Sequence, residues 1–111
     1  MGDAQREEIS IAFVTVPSVE EGEGLAKKAL NARLAACVNI VPGLKSIYWW
    51  EGSIEESKEA LMVIKTKKEH ISKLEALIVS EHPYDTPEFV ALPVESISEG
   101  YLAWLLAETS L

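Results

Sequence analysis

Cysteine is nearly absent from this chain: its 111 residues include only one, Cys37. A single thiol cannot form a disulfide within one chain, which excludes the disulfide-rich class of small secreted domains. The sequence also lacks an apolar run long enough to span a membrane, and residues 1–8 lack the basic start and apolar stretch of a signal peptide. We therefore expect a cytoplasmic protein with a disordered N-terminal tail over residues 1–8.

Positive charge is scarce as well. The chain has 10 lysine and arginine residues against 18 aspartate and glutamate residues, a formal net charge of -8. Such a charge repels phosphate backbones and anionic lipids, so neither nucleic acid nor a membrane surface is expected as a partner. Divalent cations fit the charge better, although an acidic surface also serves solubility and does not by itself locate a cation site.

Sequence motifs of catalysis are missing too. The chain has no glycine-rich phosphate loop and no nucleophile with a base beside it, and Cys37 is far along the chain from His70 and His82. We therefore do not expect an enzyme. We expect His70 to be exposed, in the first turns of a helix.

The hydrophobic pattern predicts a single domain over residues 9–111. Runs rich in β-branched residues indicate strands, and the second run is interrupted at Pro42 and Gly43, a pair suited to a bulge or a turn. The predicted strands cover residues 9–16, 35–50, 60–66 and 88–94.

Apolar residues at helical spacing predict three helices, near residues 18–33, 66–81 and 96–106. Each begins with a serine or threonine that is followed three residues later by glutamate, which is the signature of a capping box. These pairs are Ser18 with Glu21, Thr66 with Glu69, and Ser96 with Glu99.

The order βαββαβ plus a further helix is that of an α+β, ferredoxin-like sandwich, with a long hairpin between the second and third strands and an extra C-terminal helix. Each extended hairpin arm would span on the order of 50 Å, whereas a compact chain of this length is about 34 Å across. The hairpin tip should therefore project beyond the globule, unless the arms kink at Pro42 and fold back.

Large aromatic side chains cluster at this tip, where Tyr48, Trp49 and Trp50 follow one another. Aromatic residues that lie beyond their own core mark a binding surface. The C-terminal helix is apolar on more than one face and carries Tyr101 and Trp104. We therefore expect a homo-oligomer with these five aromatic residues at the subunit interface. The residues alone leave dimer, trimer and tetramer open.

Five blocks of the sequence resemble the CutA family of divalent-ion tolerance proteins. They are LAACVNIVPG at 34–43, SIYWWEG at 46–52, KEALMVIKT at 58–66, HPYDTPEF at 82–89 and YLAWL at 101–105. The resemblance implies a ferredoxin-like subunit, a homotrimer in which long hairpins pair across subunits, and an architecture similar to that of PII signalling proteins. It also implies a role in tolerance to divalent metals, with copper as the cation most often proposed.

The predicted metal ligands are Cys37, His82 and Glu81, and no short spacing joins them into a motif. A thiol is a soft ligand suited to copper or zinc, and a neutral imidazole is a common metal ligand. Cys37 is equally well explained as a small buried side chain, and His82 as a residue that fixes its loop. Some relatives have a cysteine and a second histidine where this chain has Val14 and Glu81, and this departure argues against tight copper binding.

An alternative function is that of a PII-like sensor or scaffold, with a small-molecule site in a cleft between subunits. The family blocks supply Trp50, Glu59, Lys65 and Tyr84 as candidate cleft residues. A structural ion pair or a solvated strand face explains Glu59 and Lys65 as well.

Overall fold

The structure is a computed structural model that describes residues 8–110, so the predicted N-terminal tail lies outside the described residues except for Glu8. The chain forms four strands and three helices in this range, and a short 3-10 turn, Lys68–His70, precedes the second helix. The strands are β1 (Ile9–Val16), β2 (Cys37–Trp50), β3 (Ser53–Lys67) and β4 (Val90–Pro93), and the helices are α1 (Val19–Asn31), α2 (Ile71–Glu81) and α3 (Glu99–Glu108). The α+β, ferredoxin-like order with a further helix is thus confirmed.

The four strands form one antiparallel sheet in the order β2-β3-β1-β4. The central pair is β1 with β3, in register from Ile9 opposite Lys67 to Val16 opposite Ala60. The two prolines within strands, Pro42 of β2 and Pro93 at the end of β4, lie where a missing N–H is tolerated, since both strands are at the sheet edges.

Two helices cover one face of the sheet. Side chains at even positions of β1 and β3, such as Val14 and Met62, are fully buried against apolar residues of α1 and α2, such as Leu25 and Ile78. Alternation with a period of two along a strand places every second residue on this face. None of the helices formed by residues 8–110 is long and apolar enough to cross a membrane.

Strands β2 and β3 extend past the end of β1 as a two-stranded ribbon, which we define as residues 44–59. Its two arms pair from Leu44 opposite Glu59 to Trp50 opposite Ser53, and the register shifts between Val41 and Leu44 where the ribbon begins. At the tip, Glu51 and Gly52 both have positive φ, 48° and 84°, as a two-residue hairpin turn requires. The molecule measures 48 × 26 × 23 Å, so the expected overshoot of the hairpin is confirmed.

Helix α3 lies on the face opposite α1 and α2, at one end of the sheet. Its Leu102 and Leu105 pack with Ile9 of β1 and Ala36. Its C-terminus is held by two long polar side chains: Arg33 Nη1 donates to the Glu108 carbonyl at 3.1 Å, and His70 Nε2 bonds the Thr109 carbonyl at 2.7 Å.

Of the three predicted helix caps, one is confirmed and two are wrong. The Ser18 side chain accepts from the Glu21 N–H and caps α1 as predicted, but α2 and α3 have no side-chain cap bond. Thr66 faces the helices from β3 and donates instead to the Leu34 carbonyl at 2.6 Å. His70 is 6% exposed, contrary to prediction, because the end of α3 covers it.

Element ends also differ from prediction. Helix α1 ends at Asn31 rather than near residue 33, since Arg33 adopts a left-handed conformation with φ of 59°. Strand β4 covers only Val90–Pro93 of the predicted 88–94, and β3 is longer than the apolar run 60–66 because its first half belongs to the ribbon.

Candidate functional site

The sheet face opposite α1 and α2 is apolar and largely uncovered. We call it the open face. Along β1 and β3 the residues that alternate with the buried ones remain partly exposed. The edge strand β4 adds Val90 and Leu92, which are 47% and 45% exposed. Helix α3 covers only the end of this face near Ile9. The apolar side chains of the open face are Ile11, Phe13, Val41, Leu61, Val63, Val90 and Leu92.

The ribbon tip is a second uncovered apolar surface. Trp49 is 72% exposed and Trp50 is 56% exposed, and Ile47, Tyr48 and Ile54 beside them are exposed as well. A two-stranded ribbon has no core of its own, so these side chains find no cover within one chain. The tip and the open face are both surfaces of the kind that marks protein–protein contact.

The predicted interface residues Tyr101 and Trp104 project from α3 with exposures of 37% and 42%. Their ring centroids are 5.3 Å apart, and Lys65 Nζ lies 5.8 Å from the centre of the Tyr101 ring. The aromatic surface of α3 therefore continues the open face at its far end, where β3 carries Lys65.

Cys37 lies at this end of the open face, opposite Lys65 in the ladder of β2 and β3. Its Sγ is 3.8 Å from the Asn39 side-chain oxygen, which also accepts a hydrogen bond from Lys65 Nζ at 2.7 Å. Burial raises the pKa of Tyr101, and the neighbouring Cys37 thiol raises it further. The thiol is half-buried and has polar neighbours.

His82 is committed to the backbone around it. Its Nδ1 accepts the Tyr84 N–H at 3.1 Å, so Nε2 carries the proton and donates to the Thr15 carbonyl at 2.7 Å. The ring is only 8% exposed. Neither nitrogen keeps a free lone pair for a metal in this arrangement.

Glu81 points to another neighbour, because its carboxylate pairs with Lys28 Nζ at 3.2 Å. Cys37 lies level with Ile11 of β1 across β3, whereas His82 bonds Thr15, four residues or about 13 Å further along the strand. The three predicted metal ligands are thus not brought together in one copy. Residues 8–110 of one copy contain no group of three or more histidine, cysteine, aspartate or glutamate side chains placed to hold a metal ion.

The predicted ligand cleft is brought together only in part. The Tyr84 hydroxyl donates to Glu59 Oε2 at 2.8 Å. Burial, as the larger cause, and this hydrogen bond together raise the pKa of Tyr84 to about 12. Trp50 and Lys65 each lie six ladder positions from Glu59, in opposite directions and about 20 Å away. One copy therefore supplies the Tyr84–Glu59 pair and not a closed small-molecule site.

Sequence reasoning missed the contacts that hold α3. Arg33 also binds the Glu108 carboxylate at 2.9 Å, and His70 bonds the Thr109 carbonyl. Both join residues that are 39 or more positions apart in the chain. The available signal was the position of Arg33 directly after a helix, where a cation is unremarkable on its own.

Comparison with known proteins places this geometry among solved relatives. The family model described as "CutA1 divalent ion tolerance protein" matches residues 10–108. The crystal structure of CutA1 from Oryza sativa superimposes with a TM-score of 0.91 at 40% identity, covering 96% of this chain and 97% of that chain. The structure of the divalent cation tolerance protein from Thermus thermophilus gives a TM-score of 0.85 at 45% identity, covering 87% of this chain and 94% of that chain.

Curated relatives agree. A divalent-cation tolerance protein CutA of Thermus thermophilus is 46% identical over 99 residues, covering 89% of this chain and 96% of the relative. The chloroplastic protein CutA 1 of Oryza sativa subsp. japonica is 43% identical over 99 residues, and there the alignment covers 89% of this chain but 56% of the relative. This chain therefore spans little more than half the length of that plant relative.

Proposed function

Because the chain belongs to the CutA1 divalent ion tolerance family, we propose that it acts in tolerance to divalent cations as a homotrimer, in which each ribbon lies against a neighbouring copy. The observation that carries the assembly is the uncovered apolar surface formed by the open face and the ribbon tip. The number three comes from the family resemblance.

Burial of this surface supplies the driving force. Removing a large apolar side chain from water contributes about 1.5–3 kcal/mol, and four such side chains at the tip, Ile47, Trp49, Trp50 and Ile54, are more than half exposed in one copy. The outer edge of β2 also offers unpaired backbone groups to a neighbour's strand. A second copy is the partner that matches, because the same chain supplies both the ribbon and the open face.

The donor geometry does not fit a divalent cation within one copy, since His82 uses both nitrogens and Glu81 is paired with Lys28. We propose that a cation such as copper is bound between copies, with Cys37 as a ligand. Cys37 lies at the open face, which the proposed assembly covers with a neighbouring copy, and its sulfur is half-buried rather than enclosed. The role is binding rather than catalysis, and we place it in the cytoplasm.

Sedimentation tests the assembly. We expect wild type to sediment at three times the 12.2 kDa mass of one chain, and Trp49→Ser to sediment at lower mass when diluted. Glu55→Gln is a matched control on the ribbon, since it removes an exposed charge and no apolar contact. Wild type that stays at the mass of one chain over all concentrations contradicts the assembly.

Calorimetric titration with Cu(II) tests the cation site. Cys37→Ala should lose the tightest binding phase, whereas Glu81→Gln should keep it. If Cys37→Ala titrates like wild type, the cysteine is not a ligand. Metal analysis of protein purified without added ions then shows which cation, if any, it carries.

A further inference from the structure

The root of the ribbon lacks the support that the rest of the sheet has. Beyond Ala60, β3 no longer pairs with β1, and at the same level the ladder between β2 and β3 is interrupted between Val41 and Leu44. Gly43 in this interruption has φ of 72°, a left-handed conformation typical of a bulge. A ribbon joined to the sheet at such a point can bend there.

One chain of contacts crosses this weak point. His82 donates to the Thr15 carbonyl, near the end of β1, and accepts the N–H of Tyr84. The rings of His82 and Tyr84 lie 4.8 Å apart, and the Tyr84 hydroxyl donates to Glu59, the first β3 residue beyond the pairing with β1. The loop after α2 thus continues the support that β1 gives to β3. We call these contacts the root brace.

We propose that Tyr84 is a positioning residue for assembly: through Glu59 it fixes the direction in which the ribbon leaves the sheet, so that the tip meets a neighbouring copy. This inference rests on the proposed homotrimer. Glu59 is well placed to set the position of the tip, because Trp50 lies about 20 Å beyond it. A small rotation of the ribbon at Glu59 therefore moves the tip by several ångströms.

The chemistry of the pair suits this role. A phenol that donates to a carboxylate makes a charge-assisted hydrogen bond, which is stronger than a bond between neutral groups. The oxygens are 2.8 Å apart. His82 is nearly buried and holds Tyr84 from the other side, so the hydroxyl has a fixed position from which to hold the ribbon.

The test compares Tyr84→Phe with Glu56→Gln by sedimentation over a dilution series. Glu56 is the control, because its carboxylate pairs with Lys45 Nζ at 2.9 Å within the ribbon and does not reach the sheet. We expect Tyr84→Phe to raise the concentration at which the assembly half-dissociates by about tenfold, because a misdirected ribbon buries less of its apolar tip. Glu56→Gln should change it by less than about threefold, as for an exposed ion pair.

Two variants of Glu59 separate positioning from packing. Glu59→Gln keeps an acceptor oxygen but loses the charge, so its assembly should fall between that of wild type and that of Tyr84→Phe, whereas Glu59→Val removes the acceptor and should resemble Tyr84→Phe. Adding Glu59→Val to Tyr84→Phe should produce no further change. The free energy of unfolding of the subunit, measured where each variant is dissociated, should fall by less than the free energy of assembly does.

Equal dissociation of Tyr84→Phe and wild type overturns the inference. A Tyr84→Phe subunit whose free energy of unfolding falls by as much as its free energy of assembly also overturns it, because the residue then serves subunit stability alone. If wild type is a single chain at all concentrations, the proposed homotrimer fails, and hydrogen exchange decides on the brace itself. Faster exchange of amides 44–59 in Tyr84→Phe, with those of β1 unchanged, then supports it, and equal exchange overturns it.

Discussion

Replacing His70 by alanine should release helix α3 while the rest of the subunit stays folded. The His70 ring is 6% exposed, and its Nε2 lies 2.7 Å from the carbonyl oxygen of Thr109, a residue that is itself fully buried. The substitution leaves this carbonyl without its partner in a region that water does not readily reach. Apart from the half-exposed Arg33–Glu108 contacts, helix α3 has little else to hold it, since only Leu102 and Leu105 of its ten residues are buried.

The expected cost is about 1–3 kcal/mol, the penalty for a buried polar group that loses its partner. This corresponds to amide hydrogen exchange in Glu99–Glu108 that is roughly 5- to 150-fold faster, whereas amides in the pairing of β1 with β3 should keep their protection. Exchange followed residue by residue by NMR measures both regions in one sample.

Two further variants sharpen this measurement. His70→Gln keeps an N–H donor at a similar reach and should recover most of the protection. Glu69→Ala is the control one residue away, because Glu69 is exposed and its only described ion pair is a 3.6 Å contact with Lys67. Protection of α3 in His70→Ala equal to that in wild type refutes the view that His70 holds this helix in place.

Three other changes have expected outcomes. Between pH 10 and pH 12 the difference in the free energy of unfolding between wild type and Tyr84→Phe should shrink. The pKa of Tyr84 is about 12 in the folded state and 10.0 in the free side chain, so the stabilisation that the protonated hydroxyl gives is complete below pH 10 and is lost as pH rises through 12. Chemical denaturation over this range measures it, and a constant difference contradicts the pKa. Met62→Ala should lower the free energy of unfolding by about 2–5 kcal/mol in the same assay, since Met62 is fully buried between sheet and helices; a loss below about 1 kcal/mol would mean that the core repacks. Arg33→Ala should speed hydrogen exchange of the last turn of α3 by less than His70→Ala does, because the Arg33 pair with Glu108 is about half exposed, and a larger effect would reverse the order of the two contacts.

The sequence predicted those parts of the fold that depend on local patterns. The apolar run of β1, the Ser18 cap of α1 and the interruption at Pro42 and Gly43 can be read without knowledge of their neighbours. The exposed tip followed from a comparison of lengths, since the arms are longer than the globule. The order of strands and helices then indicated the ferredoxin-like arrangement, which the family blocks also imply.

The remaining features depend on partners far along the chain. Thr66 resembles a helix cap in the sequence, but the Leu34 carbonyl takes its hydroxyl, 32 residues away. His82 resembles a metal ligand in the sequence, but its Nε2 donates to the carbonyl of Thr15, 67 residues away. A local pattern indicates the groups that a side chain can bind, and only the fold determines which of them comes within reach.

The length of the ribbon also matters for a newly made subunit. Under the proposed assembly, a chain that has not yet met another copy leaves two tryptophans and the outer edge of a fourteen-residue strand in contact with water. Unpaired edges and exposed apolar side chains are also what unrelated chains adhere to, so correct association competes with aggregation. Synthesis of many copies close together, as on one messenger RNA, would favour the correct partner, and slow synthesis at scattered sites would leave each ribbon unprotected for longer.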